Sequence, residues 1–336
     1  MNGAAKSTKR SVVSKLVGLA VVIAAVAGGY LYGRTALDIF NAANFTPPAD
    51  VAAVEASIKL TPGAQRTFRA TRPAIESGSD FNKHCKSTER TAAILGCYYR
   101  DRIYLFDIKN EELADAKEVT AAHELLHAQY DRLNIFEKPQ VNAMIQRQYQ
   151  KIKDNPDIAK AMEYYKSAEP GAEIDELHSI IGTTITQLDP ELERYYERYF
   201  TDRASIVAKN QAYNAVFERV TAEAEALQKK LETESEQIKR DIEVYRTDLA
   251  QLNSDIASFN ERARGGEFTS QADFAAARAA LQRRINALNT RQTNLNARIS
   301  AYNDDVVKLN NLAVKVNQLN ESINGVSAPT GVSSGS

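Results

Sequence analysis

The amino-acid sequence predicts a mostly helical α+β protein in three parts. These are an N-terminal transmembrane helix, a small domain with a short β-hairpin, and a long antiparallel helical coiled-coil hairpin. Three observations carry that reading. Residues 16–33, LVGLAVVIAAVAGGYLYG, contain no charge. Residues 92–108 hold two apolar and aromatic runs around a polar turn. From 216 onward apolar residues recur at heptad spacing, broken once by a pair of glycines.

The N-terminus comes first. Lys6, Lys9, Arg10 and Lys15 precede the uncharged run, and no acid accompanies them. With Val12 and Val13 the apolar stretch reaches the roughly 20 residues that cross a bilayer. The basic flank predicts a cytoplasmic segment 1–11, a membrane span 12–33 and an extracytoplasmic remainder. The alternative is a secreted chain cleaved near Ala27, because Ala25-Val26-Ala27 is an A-x-A site. Apolar sequence continuing to Gly33 favours the uncleaved anchor. Both readings export Cys85 and Cys97, the chain's two cysteines, and a disulfide between them is expected there.

Composition narrows the function classes. The 336 residues are 43% apolar and 25% charged, with a formal net charge of −1. A nucleic-acid partner calls for a basic excess, which is missing. The sequence also lacks a phosphate-binding P-loop, a dinucleotide fingerprint and a GxSxG elbow.

Residues 34–60, interrupted by Pro47 and Pro48, read as a juxtamembrane segment with short helical pieces. The compact domain is expected over 61–204. Within it AAILGCYYRDRIYLFDI, residues 92–108, reads as two strands around Arg100-Asp101-Arg102. A helical pattern follows over 111–133, then further helices near 141–153, 156–167, 172–183 and 190–200, punctuated by Pro139, Pro156, Pro170-Gly171 and Pro190. The hairpin spans 205–324 with its turn at 264–270. Its seam alternates by fours and threes from Ile238, and restarts at Phe274. Gln292 and the 231–238 gap leave polar residues on the seam, which fix register at some loss of stability. Each arm is roughly 80 Å long at 1.5 Å per residue. The small, polar tail 325–336 is expected to be disordered.

The chemistry-bearing stretch is AAHELLHAQYD, residues 121–131. Residues four apart share a helix face, so His123 and His127 can present two imidazoles to one metal ion. Glu124, beside the first histidine, suits a general base that takes a proton from a metal-activated water. With four histidines in the chain, such a motif arises by chance roughly 0.003 times. The bland alternative is a surface helix with satisfied histidines. Uncharged TAA and LL positions around and inside the motif argue for a buried helix instead. His84 reads as exposed and structural.

Residues 118–133, EVTAAHELLHAQYDRL, resemble the active-site helix of the zincin metallopeptidases. Thr120 and the uncharged flanking positions fit the family's extended pattern, and Gln129 departs from it where a hydrophobic residue is usual. The resemblance is to the broad class and does not extend to the hairpin. It implies a zinc cofactor and a peptide or protein substrate lying along an upstream edge strand, for which Arg102–Ile108 is in the right order. It also implies a third metal ligand downstream. A third histidine at HExxHxxGxxH spacing is missing, which points to a gluzincin-like glutamate.

Candidates lie in GAEIDELHSIIGT, residues 171–183. Glu176 is favoured because it enters the apolar part of that helix, with His178 and then Glu173 as alternatives. Acids in a first helical turn often serve only the helix dipole, and this applies most to Glu173. His178 could also stand behind the ligands. Tyr195 and Tyr196 are candidate oxyanion donors, against an ordinary packing role.

The expectation is therefore a membrane-anchored zinc metallopeptidase acting outside the cytoplasm, its coiled coil serving partner binding or self-association. A tethered scaffold with a structural or degenerate metal domain is the alternative.

Overall fold

The computed structural model describes residues 33–85, 95–168 and 170–323. Among these, no helix is long and apolar enough to cross a membrane. The expected span over 12–33 lies outside them save for Gly33, as do the start of the first expected strand and the tail. The protein is mostly helical with one small sheet, as its sequence pattern predicts. It divides into two compact units: one holds the residues up to Val216 and those from Leu319 on, the other Phe217–Gln318.

The first unit opens with α1, described over 33–43, then α2 (Ala49–Ser57) and α3 (Pro62–Ala70). Three strands follow, β1 (Ala74–Glu76), β2 (Gly96–Tyr99) and β3 (Arg102–Phe106), with α4 (Gly78–His84) between the first two. The sheet order is β1-β3-β2: β1 runs parallel to β3, and β2 antiparallel to it at the edge. At three residues, β1 is too short to show a period-2 signal in sequence. Helices α5 (Ala114–Asp131), α6 (Glu137–Ile152), α7 (Pro156–Ala168), α8 (Glu173–Thr184) and α9 (Pro190–Tyr196) complete it, with the start of α10 (Arg203–Arg264).

Helix α5 forms the middle of the core. Ala121, Ala122, Leu125 and Leu126 are fully buried and pack with Ile103 and Leu105 of β3 and Ile181 of α8. The other face of β3 is also covered, since Tyr104 packs with Phe81 and Cys85 in a second cluster. Val51, Val54 and Ile58 of α2 belong to the main core, so the folded unit includes residues assigned from sequence to a juxtamembrane segment. Their apolar spacing is too brief within a nine-residue helix to register as a period.

The β2–β3 connection is a two-residue turn, Arg100 and Asp101, both with positive φ (50° and 61°). Such turns favour glycine or asparagine because the left-handed region crowds Cβ. Here the Asp101 carboxylate accepts hydrogen bonds from Arg34, Arg132 and Tyr98, which hold the turn.

In the second unit α10 runs on and α11 (Gln271–Ile323) returns antiparallel. Asp255, Asp248 and Asp241 pair in turn with Arg284, Arg291 and Arg298, so the order reverses along the partner helix. Leu231, Leu252 and Leu295 are buried between the arms.

Candidate metal centre

Two helices build the site. Helix α5 is buried on most of its circumference, and its alanines allow α8 to approach closely. Gly182 on α8 lies against Leu126 and Tyr196; a Cβ there would sit 2.8 Å from Tyr196 Cε1. This contact sets the depth at which α8 carries Glu176 beside the motif.

The three ligand candidates converge. His123 Nε2 and His127 Nε2 are 3.1 Å apart. Glu176 Oε2 lies 3.6 Å from His123 Nε2, and Glu176 Oε1 lies 3.6 Å from His127 Nε2. Ligands held about 2.0–2.1 Å from one tetrahedral ion stand about 3.3 Å apart, so these separations suit a common ion. Glu176 Oε2 is buried with no hydrogen-bond partner, as an atom reserved for a cation would be. The group could hold a metal ion.

His127 Nδ1 is 2.8 Å from Asp175 Oδ1. That contact fixes the Nδ1–H tautomer and turns the Nε2 lone pair toward His123 and Glu176. Without a metal, burial alone would lower the His127 pKa, but Asp175 and Glu176 outweigh it and raise it to about 9. Burial raises Glu176, and the two histidines more than reverse this, holding it below the usual carboxylate range. Glu124 is 6% exposed, and burial pushes its pKa up. The Tyr98 backbone N–H donates to its carboxylate and, with the histidines, partly opposes that shift.

Strand β2 borders the cluster. Phe106 N–H donates to Leu95 C=O, and the register continues with Cys97 opposite Tyr104. Alternation in an antiparallel pair then turns the N–H and C=O groups of Gly96 and Tyr98 away from β3. A Cβ on Gly96 would come within 2.5 Å of Thr120 Cγ2 and 3.0 Å of Glu124 Cγ, so glycine lets the edge strand lie against α5. Cys97 on β2 is disulfide-bonded to Cys85, with Cα atoms 5.7 Å apart. The resulting cleft, about 450 Å³, is lined by His123, Glu124, His127, Glu176, Tyr98 and Tyr165, among others.

The other sequence candidates fall elsewhere. Glu173 accepts from the Gly171 N–H at the start of α8, a capping role. His178 is fully buried behind the ligands, with Nε2 2.9 Å from the Tyr195 hydroxyl. Tyr199 donates to the Tyr195 hydroxyl, and Tyr196 donates to the His178 carbonyl at 2.7 Å. Tyr195 and Tyr196 therefore buttress α8 from behind and do not line the cleft. The phenol that does face the cluster is Tyr165 on α7, which lines the cleft beside Glu176. Sequence reasoning missed it because α7 reaches the site only through the turns around 153–156 and 170–171.

No protein-family model matches the chain, and no curated protein or solved structure is detectably similar to it.

Proposed function

We propose that the protein is a zinc-dependent peptidase of the zincin type, with His123, His127 and Glu176 as ligands and Glu124 as general base. The observation that carries this reading is the convergence of three ligand atoms beside a buried carboxylate with a raised pKa. Zinc in that position would polarise a peptide carbonyl and acidify a water molecule. Glu124 takes the proton of the attacking water and delivers it to the departing amine; the raised pKa suits both halves of that transfer. The outward N–H and C=O of Gly96 and the outward C=O of Tyr98 pair with an extended peptide, adding a strand to the sheet edge at β2. Tyr165 replaces Tyr195 and Tyr196 as the candidate oxyanion donor. A scaffold with a purely structural metal has no use for Glu124 and would close the site with a fourth protein ligand.

The uncharged run ahead of α1 supports a membrane-anchored, extracytoplasmic setting. The Arg–Asp-laced hairpin supports a role in docking or self-association, apart from the chemistry.

The test is direct. The purified protein should carry about one zinc per chain. Glu124→Gln should retain that metal while hydrolysis of a peptide library falls about 10²–10⁴-fold. Metal-free native material, or a Glu124→Gln protein of full activity, would end the proposal.

A further inference from the structure

A second cavity of about 570 Å³ lies against α5, walled by α1, the first turn of α3 and the α5–α6 connection. It shares no lining residue with the metal cleft. Residues two apart on a helix point roughly 200° away from each other. His127 thus faces the metal cluster while Gln129 lines this second cavity. Gln129 is also the position where the motif helix departs from the zincin pattern.

Gln129 is 8% exposed, and its Nε2 has no hydrogen-bond partner. A buried donor left unpaired costs about 1–3 kcal/mol. A hydrophobic side chain would avoid that loss, so an amide here has a use if something accepts from it.

The neighbouring charges show what is free to bind. Asp38 is held by Arg132 at 2.8 and 2.9 Å. Asp131 accepts from Arg34 at 3.2 Å. Glu137 accepts from Arg198 at 3.1 Å and from Asn134 at 2.8 Å. All three carboxylates on the wall are thereby neutralised, and they occupy Arg34, Arg132 and Arg198. Arg66, also on the wall, has no carboxylate partner among the described residues.

Arg66 belongs to α3, which opens onto the cavity at Gly63 and Ala64. The first turn of that nine-residue helix carries no acid, so the positive end of its dipole has no anionic side chain of its own. Thr61 caps the Ala64 N–H, leaving the Gly63 N–H without a side-chain acceptor.

A buried amide donor, an unpaired guanidinium and a helix N-terminus on one cavity are the donor set for a phosphate oxyanion. We propose that this cavity binds a phosphate group, with Gln129 Nε2, Arg66 and the first turn of α3 as donors. A phospholipid headgroup is one source, because α1 continues the uncharged sequence 16–33; a free phosphate is the other. The metal ligands take no part.

The experiment uses the full chain in a phosphate-free maltoside detergent. It is titrated with inorganic phosphate, and in parallel with vesicles containing or lacking anionic phospholipid. Binding is read from the unfolding midpoint and from the Gln129 side-chain amide resonance. Either probe should raise the midpoint and shift that resonance; a response confined to the anionic vesicles identifies the headgroup as the source. Arg66→Ala and Gln129→Leu should each weaken binding about tenfold, the loss of one charged or buried hydrogen bond. Gln129→Leu should also raise the midpoint without phosphate and keep its zinc content, separating this site from the metal centre. Silence of the wild type to both probes, or unchanged binding in both variants, overturns the proposal.

Discussion

Asp175 Oδ1 stands 2.8 Å from His127 Nδ1, and the adjacent residue, Glu176, reaches the other nitrogen of the same ring. One turn of α8 therefore supplies both a candidate ligand and the group that orients a second. Asp175→Asn keeps the shape but loses the anionic acceptor. It should weaken zinc binding about 10–100-fold, the usual effect of removing an orienting carboxylate. Competition with a chromophoric chelator measures this, and unchanged affinity would show that Asp175 does not orient the ligand.

The same pair sets a pH dependence in the metal-free protein. His127 titrates near 6.5 when unfolded and at about 9 when folded. A raised folded pKa means that its contribution is complete below pH 6.5 and disappears as pH rises through 9. His178 runs the other way: burial holds its pKa well below 6.5, so its contribution is lost as pH falls beneath that value. The chelated protein should thus melt highest near pH 6.5, and on the order of 5 °C lower at pH 9. Asp175→Asn should flatten the alkaline limb. A midpoint constant from pH 6.5 to 9 in the chelated wild type would contradict the assignment.

Gly96→Ala tests the close approach of β2 to α5. The new methyl group meets Thr120 Cγ2, Glu124 Cγ and the Tyr104 carbonyl. Destabilisation of about 1–3 kcal/mol is expected, as for other overpacked sites. Thr120→Ser removes Cγ2 and keeps the hydroxyl that donates to the Ala116 carbonyl. The double variant should recover part of the loss, a coupling that chemical denaturation of all four proteins reads out. Simple additivity would place β2 farther from Thr120 than described.

In the hairpin, Lys230 should matter more than Arg291. Asp305 is 5% exposed and accepts from Lys230 at 2.5 Å, whereas Arg291 and Asp248 are each nearly half exposed. A one-heptad slip rebuilds two of the three Arg–Asp pairs but takes Lys230 away from Asp305. The Lys230–Asp305 pair is therefore what distinguishes the registers. Lys230→Ala is expected to lower the unfolding midpoint more than Arg291→Ala, whose exposed pair contributes less than about 1 kcal/mol. Thermal unfolding ranks them, and the reverse order would refute this account of register.

The clearest sequence signals came from periodicity and rare residue types. Heptad spacing marked both long helices, within a few residues of both ends of α11 and of the C-terminal end of α10. Helix α10 begins at Arg203, well before the first seam residue at 216. The pattern HELLH marked one helix face because its histidine spacing equals a helical turn. The expected pairing of Cys85 with Cys97 rested on the charge-free N-terminal run, and the disulfide is present. Short elements were less visible. Strand β1 is three residues long, and in sequence α2 reads as part of a proline-interrupted linker, although its apolar side chains join the main core.

Which downstream groups stand beside the histidines was a matter for the tertiary structure. Glu173, Asp175, Glu176 and His178 all lie within two turns of α8, and composition hardly separates them. The depth of α8 against Gly182 and its rotation about its own axis give each a different task. Glu176 meets the histidines, Asp175 orients one of them, Glu173 caps the helix, and His178 turns to Tyr195 in the interior. A residue's periodicity is local, so sequence alone determined the two histidines, their helix and the hairpin arms. The third member of the cluster depends on the packing of helices about fifty residues apart in sequence, which only the folded core decides.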